Sequence, residues 1–168
     1  MIECRKASPA DAILVTQTRQ TVWAQTYRGI YPDEMIDSYD WDHHLQRDTQ
    51  LMSSSEHQYY LFMDGSECIG YFSFGPYNYG HYLDFDLCLN SLYICQPYQR
   101  QGLGRLAFDI LSDYCRSNHI QKFFCGCNIH NLPAQGFYRH MGGKVGSVCG
   151  GHENRSDDIM HFEFYLGE

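Results

Sequence analysis

Apolar positions along the 168-residue chain recur with two periods, which predict both strands and helices. Between residues 59 and 74, two apolar runs flank Asp64-Gly65, a dipeptide typical of tight turns, so an antiparallel hairpin is predicted. From residue 102 to 117, apolar side chains fall three and four positions apart, which predicts an amphipathic helix. A strand at residues 122–127 follows it, and strand, helix and strand in succession imply a right-handed parallel crossover.

Weaker patterns predict the remaining elements. They are a strand at Ile2–Lys6, a helix capped by Ser8, a helix after Pro32, a short helix from Asn131 to Gly142, and strands at residues 145–148 and 160–166. The first helix would bury Ile13, Val15, Val22 and Trp23. Because 168 residues fit one hydrophobic core, the chain is predicted to be a single α/β domain over residues 1–168, with a mixed sheet.

The segment from residue 83 to 94 is predicted to be a strand whose alternation changes phase. The first phase holds Leu83, Phe85, Leu87 and Leu89, and the second holds Leu92 and Ile94. A one-residue slip would turn every later side chain to the other face, unless a β-bulge near Asn90-Ser91 absorbs it. Alternatively one strand ends at Leu89 and another begins, and the alternation by itself favours neither interpretation.

Composition and charge restrict the class of protein. Hydrophobic residues make up 43% of the chain, which excludes intrinsic disorder. The formal net charge of −8 argues against a nucleic-acid partner. There is no apolar run near membrane-spanning length and no secretory signal pattern, so we expect a cytoplasmic protein with no membrane partner. We expect reduced thiols at Cys4, Cys68, Cys88, Cys95, Cys115, Cys125, Cys127 and Cys149.

A glycine-containing turn joins the phase-shifted strand to the amphipathic helix. Glycines at the start of a helix leave backbone N–H groups accessible, and the helix dipole favours an anion there. No acidic residue occurs between positions 90 and 108, although the whole chain is acidic. The third glycine of a dinucleotide site and the Lys-Ser or Lys-Thr of a P-loop are missing. The glycines alone favour an ordinary turn. Its residues are Gln99, Arg100, Gln101, Gly102, Leu103, Gly104 and Arg105.

Two motifs in this half of the chain resemble the GNAT superfamily of N-acetyltransferases. The first is Gln99-x-x-Gly102-x-Gly104, which matches the acyl-CoA signature. The second is Asn131-x-x-Ala134-x-x-Phe137-Tyr138, and one helix and one strand separate the two, as in the family. The resemblance implies a mostly antiparallel sheet of six or seven strands, flanked by helices, with splayed fourth and fifth strands. It also makes the bulge the better interpretation of the phase change.

The resemblance implies acetyl-CoA as co-substrate and no metal. Backbone amides from Arg100 to Arg105 would hold the pyrophosphate. The main chain of Leu92 and Ile94 would contact pantetheine, with an amide near Ile94 polarising the thioester carbonyl. Asn131 would contact the pantetheine arm, although it would serve equally as a helix N-cap.

The resemblance also implies an acid and a base. Tyr138 matches the family's usual general acid, which protonates the departing thiolate, whereas packing in the core is the alternative. The family often has a Glu at the position of Cys88. Asp84 and Asp86 would share the strand face of Cys88, so Asp86 is the predicted general base, with a chain of water molecules as the alternative.

The acceptor implied by the family is a primary amine, either a small molecule or a peptide N-terminus, and a homodimer is compatible with the sequence. Acidic and aromatic residues between Trp23 and Asp42 suit a cationic amine, or else form an ordinary solvated surface. Cys125-x-Cys127-x-x-His130 lacks a fourth ligand, which disfavours a metal site. The competing hypothesis is a CoA-binding sensor or interaction module without turnover.

Overall fold

A seven-stranded sheet with helices on both faces forms the protein, in a computed structural model that describes residues 1–167. The strand order is β1-β2-β3-β4-β5-β7-β6, and β4–β5 is the parallel pair in an otherwise antiparallel sheet. The strands are β1 Ile2–Lys6, β2 Gln58–Asp64, β3 Glu67–Gly75, β4 Cys88–Ile94, β5 Lys122–Asn128, β6 Lys144–Cys149 and β7 Ile159–Tyr165. The helices are α1 Ala12–Thr26, α2 Asp33–Asp37, α3 Trp41–Met52, α4 Leu103–Ser117 and α5 Leu132–His140. The predicted mixed α/β sheet is confirmed.

Each face of the sheet has its own apolar core. Helices α4 and α5 cover one face, where Leu111 and Phe162 are fully buried. Helices α1 and α3 cover the other face, where Val15, Leu61 and Tyr71 are fully buried. Burying one such side chain contributes about 1.5–3 kcal/mol, so both layers stabilise the sheet. No helix within residues 1–167 combines the length and apolar character needed to cross a bilayer.

The hairpin is confirmed, whereas the predicted strand over residues 83–94 is wrong in its first half. The strand begins at Cys88, because Leu83 lies in a turn with φ +47° and is 75% exposed. The phase change is confirmed as a β-bulge: Ser73 lies opposite Ser91 and Phe74 opposite Leu89. The intervening Asn90 therefore has no cross-strand partner, and the chain after it is turned to the other face.

Two features of the N-terminal half differ from the sequence prediction. Ile13 is 54% exposed, and the buried face of α1 includes Thr16, which is hydrogen-bonded to Tyr39 at 3.0 Å. Helix α3 was not predicted, because a charged residue, Asp48, lies on its buried face. Arg19 of α1 makes two hydrogen bonds to that carboxylate, at 2.7 and 2.8 Å. An apolar periodicity cannot reveal a helix that packs through an ion pair.

Candidate functional site

A gap opens between β4 and β5 directly after the bulge. The two parallel strands are paired at Cys88–Phe124 and Leu89–Cys125, and they separate beyond Leu89. This confirms the predicted splay. Since the remainder of β4 still pairs with β3, its opposite backbone edge faces the gap without a strand partner.

Leu92 and Ile94 present their main-chain groups to this gap. Cys95 donates its N–H to Ile69 of β3 at 2.9 Å. In an antiparallel strand, the backbone N–H and C=O groups of every second residue bond to the same neighbouring strand. The backbone groups of Tyr93 therefore also face β3, while those of Leu92 and Ile94 point away from it. The side chain of Gln99 donates to the Ile94 carbonyl at 2.9 Å. The Ile94 N–H points away from β3 because of the alternation along the strand.

The glycine turn lies at the start of α4 and is open to solvent. Gly102 is the N-cap with φ +84°, and Arg100 has φ +61°. A Cβ atom at Gly102 would meet nothing within 4 Å, so the space in front of the turn is empty. The N–H groups at the first turn of α4 have no partner within the helix. Gln101 and Arg105 are exposed beside them. The turn can therefore receive an anion.

Gly104 connects the two sequence motifs physically. It is buried, and a Cβ atom there would lie 2.7 Å from Cζ and 2.9 Å from Cε2 of Phe137 in α5. The Phe137 ring thus packs directly on the backbone of α4. This contact between the helices requires a glycine at position 104. It holds Phe137, the residue before Tyr138, in place.

Replacing Gly104 with Val is expected to displace Phe137, because the new atoms would overlap its ring. Overpacking of this kind costs about 1–3 kcal/mol of folding free energy, and the distorted turn would lose CoA affinity. Thermal unfolding and isothermal titration with CoA measure the two effects. Gly136→Ala is the matched control, since a Cβ at that helical position meets nothing within 4 Å. Unchanged CoA affinity in G104V would contradict this assignment of the turn.

Tyr138 lies on α5 with its ring packed in the core. The ring contacts Phe108 and Phe162, and the residue is 8% exposed. Burial raises the pKa of the phenol well above its usual value, and the neighbouring Cys127 of β5 and Tyr93 of β4 add to this shift. The phenol is thus near both strands of the splay and carries its proton at neutral pH.

Both polar atoms of the Asn131 side chain have hydrogen-bond partners. Its side-chain oxygen accepts from the Ala134 N–H at 3.2 Å, so the N-cap role is confirmed. Its amide nitrogen donates to the Tyr27 hydroxyl at 3.4 Å. Tyr27 in turn stacks on Tyr31 at 4.2 Å between ring centroids. The asparagine therefore joins the start of α5 to Tyr27 at the end of α1.

The predicted placement of Asp86 is wrong. Neither Asp84 nor Asp86 belongs to a strand, and Asp84 pairs with Lys122 at the start of β5. Asp86 is exposed and precedes the paired end of β4, whereas the gap opens towards the other end. Cys88, at the position of the family's Glu, is buried, and its burial raises the thiol pKa. These positions fail to share a face because the chain turns before Cys88.

Some acidic residues of the N-terminal half are engaged in ion pairs. Arg28 binds Asp37 at 2.8 Å and Asp33 at 3.2 Å, while Asp48 is bound by Arg19. Arg19 therefore balances the charge of Asp48, whereas the single charge of Arg28 is shared between Asp33 and Asp37. The aromatic residues remain available at the surface of this region, because Trp23 and Tyr31 are half-buried.

A cleft of about 460 Å³ lies between the α1–α2 loop and the segment that joins β6 to β7. Arg155 of that segment donates to the Gly29 carbonyl at 3.2 Å and contacts His130 Nδ1 at 3.1 Å. These wall residues were missed by the sequence analysis, because no local pattern reports a contact across more than a hundred positions. The lining consists of Ile30, Tyr31, Pro32, Glu153, Asn154 and Arg155.

The cysteines of β5 are core residues. Cys125 and Cys127 lie on one face of the sheet and pack among the α4 and α5 side chains. His130 instead contacts Asp158 through Nε2 at 2.8 Å. Within residues 1–167, no three His, Cys, Asp or Glu side chains are arranged to hold a metal ion.

Solved structures with the same fold include three acetyltransferases. The PaiA N-acetyltransferase of Thermoplasma acidophilum, solved with coenzyme A, has a TM-score of 0.78 at 20% identity, covering 99% of each chain. YncA of Salmonella typhimurium, solved with acetyl-CoA, has a TM-score of 0.69 at 21% identity, covering 99% of this chain and 95% of its own. The ribosomal-protein-S18-alanine N-acetyltransferase of Escherichia coli has a TM-score of 0.71 at 14% identity, covering 100% of this chain and 96% of its own.

Sequence comparison identifies the family directly. A search of curated protein sequences gave no significant match. The model of the acetyltransferase (GNAT) family, in contrast, matches residues 17–142, which include the bulged strand, the glycine turn and Tyr138. The chain therefore belongs to the GNAT family of acetyltransferases.

Proposed function

We propose that the protein transfers an acetyl group from acetyl-CoA to a primary amine by direct attack, within one N-acetyltransferase domain spanning residues 1–168. The observation that carries this proposal is the gap between β4 and β5. It is bordered by the main-chain edge of β4 that has no strand partner and by the open turn at α4, and the ring of Tyr138 packs in the core beneath the sheet. One extended thioester ligand would reach all three.

Acetyl-CoA would bind along this border. The amides from Arg100 to Arg105 would hold the pyrophosphate, because they are unpaired and lie at the positive end of the helix dipole. Pantetheine would pair with the main chain of Leu92 and Ile94. Asn131, at the start of α5, would contact the same arm through its side-chain amide.

The attack would form a tetrahedral oxyanion, which the Ile94 N–H would stabilise because it is preorganised and points away from β3. The leaving group is a thiolate, whose basicity is near that of a Cys side chain with a pKa of about 8.5. Tyr138 would donate the proton, since its raised pKa keeps it protonated until the thiolate forms. Water in the cleft would take the proton of the amine, because Asp86 lies before the paired end of β4.

The acceptor would enter through the cleft beside Tyr31. Glu153 would attract an ammonium group, and Arg155 would bind an anionic group of the same molecule. The Escherichia coli structure is an N-acetyltransferase for an alanine of a ribosomal protein, which supports a peptide N-terminus as one acceptor class. A small-molecule amine is the other. No nucleic acid or metal enters this mechanism.

A CoA-binding module without turnover is the second candidate. It is favoured by the buried thiol of Cys88 at the position where relatives often have a carboxylate. The two candidates share the gap and the turn, so CoA binding alone does not distinguish them. They differ in whether an amine consumes the thioester.

The deciding experiment incubates the protein and acetyl-CoA with a panel of small amines and peptides that have free N-termini. Mass spectrometry detects acetylated products, and a thiol reagent in a coupled assay detects free CoA. We expect acetylation of at least one class of amine. Tight CoA binding without any product would support the module, whereas absence of CoA binding would overturn both candidates.

A further inference from the structure

An exposed thiol lies beside an imidazole at the end of the edge strand β6. Cys149 is the last residue of that strand, and its Sγ is 3.8 Å from Nε2 of His152. Both side chains are accessible to solvent. A thiol and a base at hydrogen-bond distance form the first two members of an activated nucleophile.

The third member is Asp158, which orients the imidazole. Its Oδ1 is 2.7 Å from His152 Nδ1 and also accepts the His152 backbone N–H at 3.0 Å. The hydrogen bonds from His130 and His152 hold the pKa of this carboxyl well below its usual value, so it is ionised. An ionised carboxylate only accepts hydrogen bonds. His152 therefore donates from Nδ1, and in its neutral form Nε2 has a free lone pair.

The rest of the network keeps Asp158 in place. Asp158 is only 4% exposed, and its Oδ2 is 2.8 Å from His130 Nε2. Arg155, which can only donate, contacts His130 Nδ1 at 3.1 Å, so His130 donates from Nε2 to the carboxylate. Each group that faces Asp158 is accounted for, and the free lone pair of His152 is left for Cys149.

The other cysteines within residues 1–167 lack these features. Four of them are buried: Cys88, Cys115, Cys125 and Cys127. Three are half-buried, and burial raises the pKa of Cys4 to about 11 and that of Cys95 above its ordinary value. Cys149 combines full exposure with an oriented base, and the two requirements for a reactive thiol meet there.

We propose that Cys149 is a site of S-thiolation, at which a small soluble disulfide of the glutathione type forms a mixed disulfide with the protein. The thiol proton passes to His152 Nε2, and the thiolate attacks one sulfur of the small disulfide. The new S–S bond forms as the old one breaks, and the departing thiolate takes the proton back from His152. The exposed end of an edge strand, followed by Gly150 and Gly151, gives such a molecule access. This chemistry is independent of acetyl transfer.

The test follows each cysteine of the 168-residue chain during reaction with oxidised glutathione, using peptide mass spectrometry between pH 6 and pH 8. We expect Cys149 to react first, about tenfold or more faster than Cys68 and Cys95. This advantage should hold throughout the pH range, because His152 Nε2 accepts the thiol proton as the sulfur attacks the disulfide.

Two variants make the outcome decisive. His152→Gln removes the base at an exposed position, so the chain should still fold. The Cys149 rate at pH 7 should fall about tenfold, because the thiol loses the base that accepts its proton. Asp158→Asn should lower the rate as well, because an amide does not enforce the required tautomer. His119→Asn, at an exposed histidine in another loop, should leave it unchanged.

Two results would overturn the proposal. One is a Cys149 rate that is equal in the wild type and in His152→Gln. The other is a wild-type Cys149 rate no higher than those of the half-buried cysteines. Neither result depends on the acetyl-transfer assay, so the proposal can fail while the proposed function stands.

Discussion

Tyr138→Phe is expected to lower kcat for acetyl transfer by about a hundredfold or more, with unchanged affinity for CoA. The substitution keeps the ring that packs against Phe108 and Phe162 and removes only the hydroxyl. Without that hydroxyl, CoA must leave as an unprotonated thiolate. This raises the barrier for breakdown of the tetrahedral intermediate. Steady-state kinetics with an accepted amine and titration with CoA measure the two quantities separately.

Tyr165→Phe is the matched control, because Tyr165 is 57% exposed on β7 and its hydroxyl contacts only Glu163 within residues 1–167. Its kcat should equal that of the wild type. The melting temperature of Tyr138→Phe should also stay close to that of the wild type, because the core contacts are retained. A Tyr138→Phe variant that turns over at the wild-type rate would exclude this residue as the general acid.

Asp48→Asn is expected to reduce the free energy of unfolding by about 3–5 kcal/mol. Asp48 is 1% exposed, and the guanidinium of Arg19 lies over the ring of the buried Tyr71 at 5.7 Å from its centroid. Removing the carboxylate leaves a buried positive charge without its partner. For a chain of this length, the melting temperature should fall by about 10 °C. Denaturant titration and calorimetry give both values.

The exposed pair of Arg116 and Asp113 provides the comparison. Their atoms approach to 2.8 Å, as closely as in the buried pair, but both side chains are at least 70% exposed. Asp113→Asn should change the stability by less than about 1 kcal/mol, because water compensates an exposed charge. A similar loss in the two variants would show that the burial of Arg19 and Asp48 contributes nothing specific.

The predictability of the candidate site differs from one part to another. The Gly102 and Gly104 turn and the phase change near Asn90 were visible in the sequence, because each depends on a few neighbouring residues. The role of Asp86 was inferred by extending the alternation of β4 backwards past Cys88. That extension failed because Leu83 and its neighbours form a turn, in which alternation no longer reports a face of the sheet.

The aromatic and acidic segment from Trp23 to Asp42 illustrates a second limit. Its composition suggested an attraction for a cationic amine, but Arg28 binds Asp33 and Asp37 in the folded chain. The composition gives the number of charged residues, whereas the electrostatic field also depends on their positions in the folded chain. The cleft beside Tyr31 is formed with the segment near Arg155, which is distant in sequence.

The sequence by itself determined the hairpin, the amphipathic helix α4, the bulge as one of two interpretations, and the two motifs of the family. All of these depend on backbone preferences and on apolar periodicity over short stretches. Only the tertiary structure decided that Arg19 meets Asp48, that Phe137 packs on Gly104, and that His130 and His152 share Asp158. Such contacts arise when separate elements pack together, and no local pattern encodes the partner that a buried charge or an imidazole will meet.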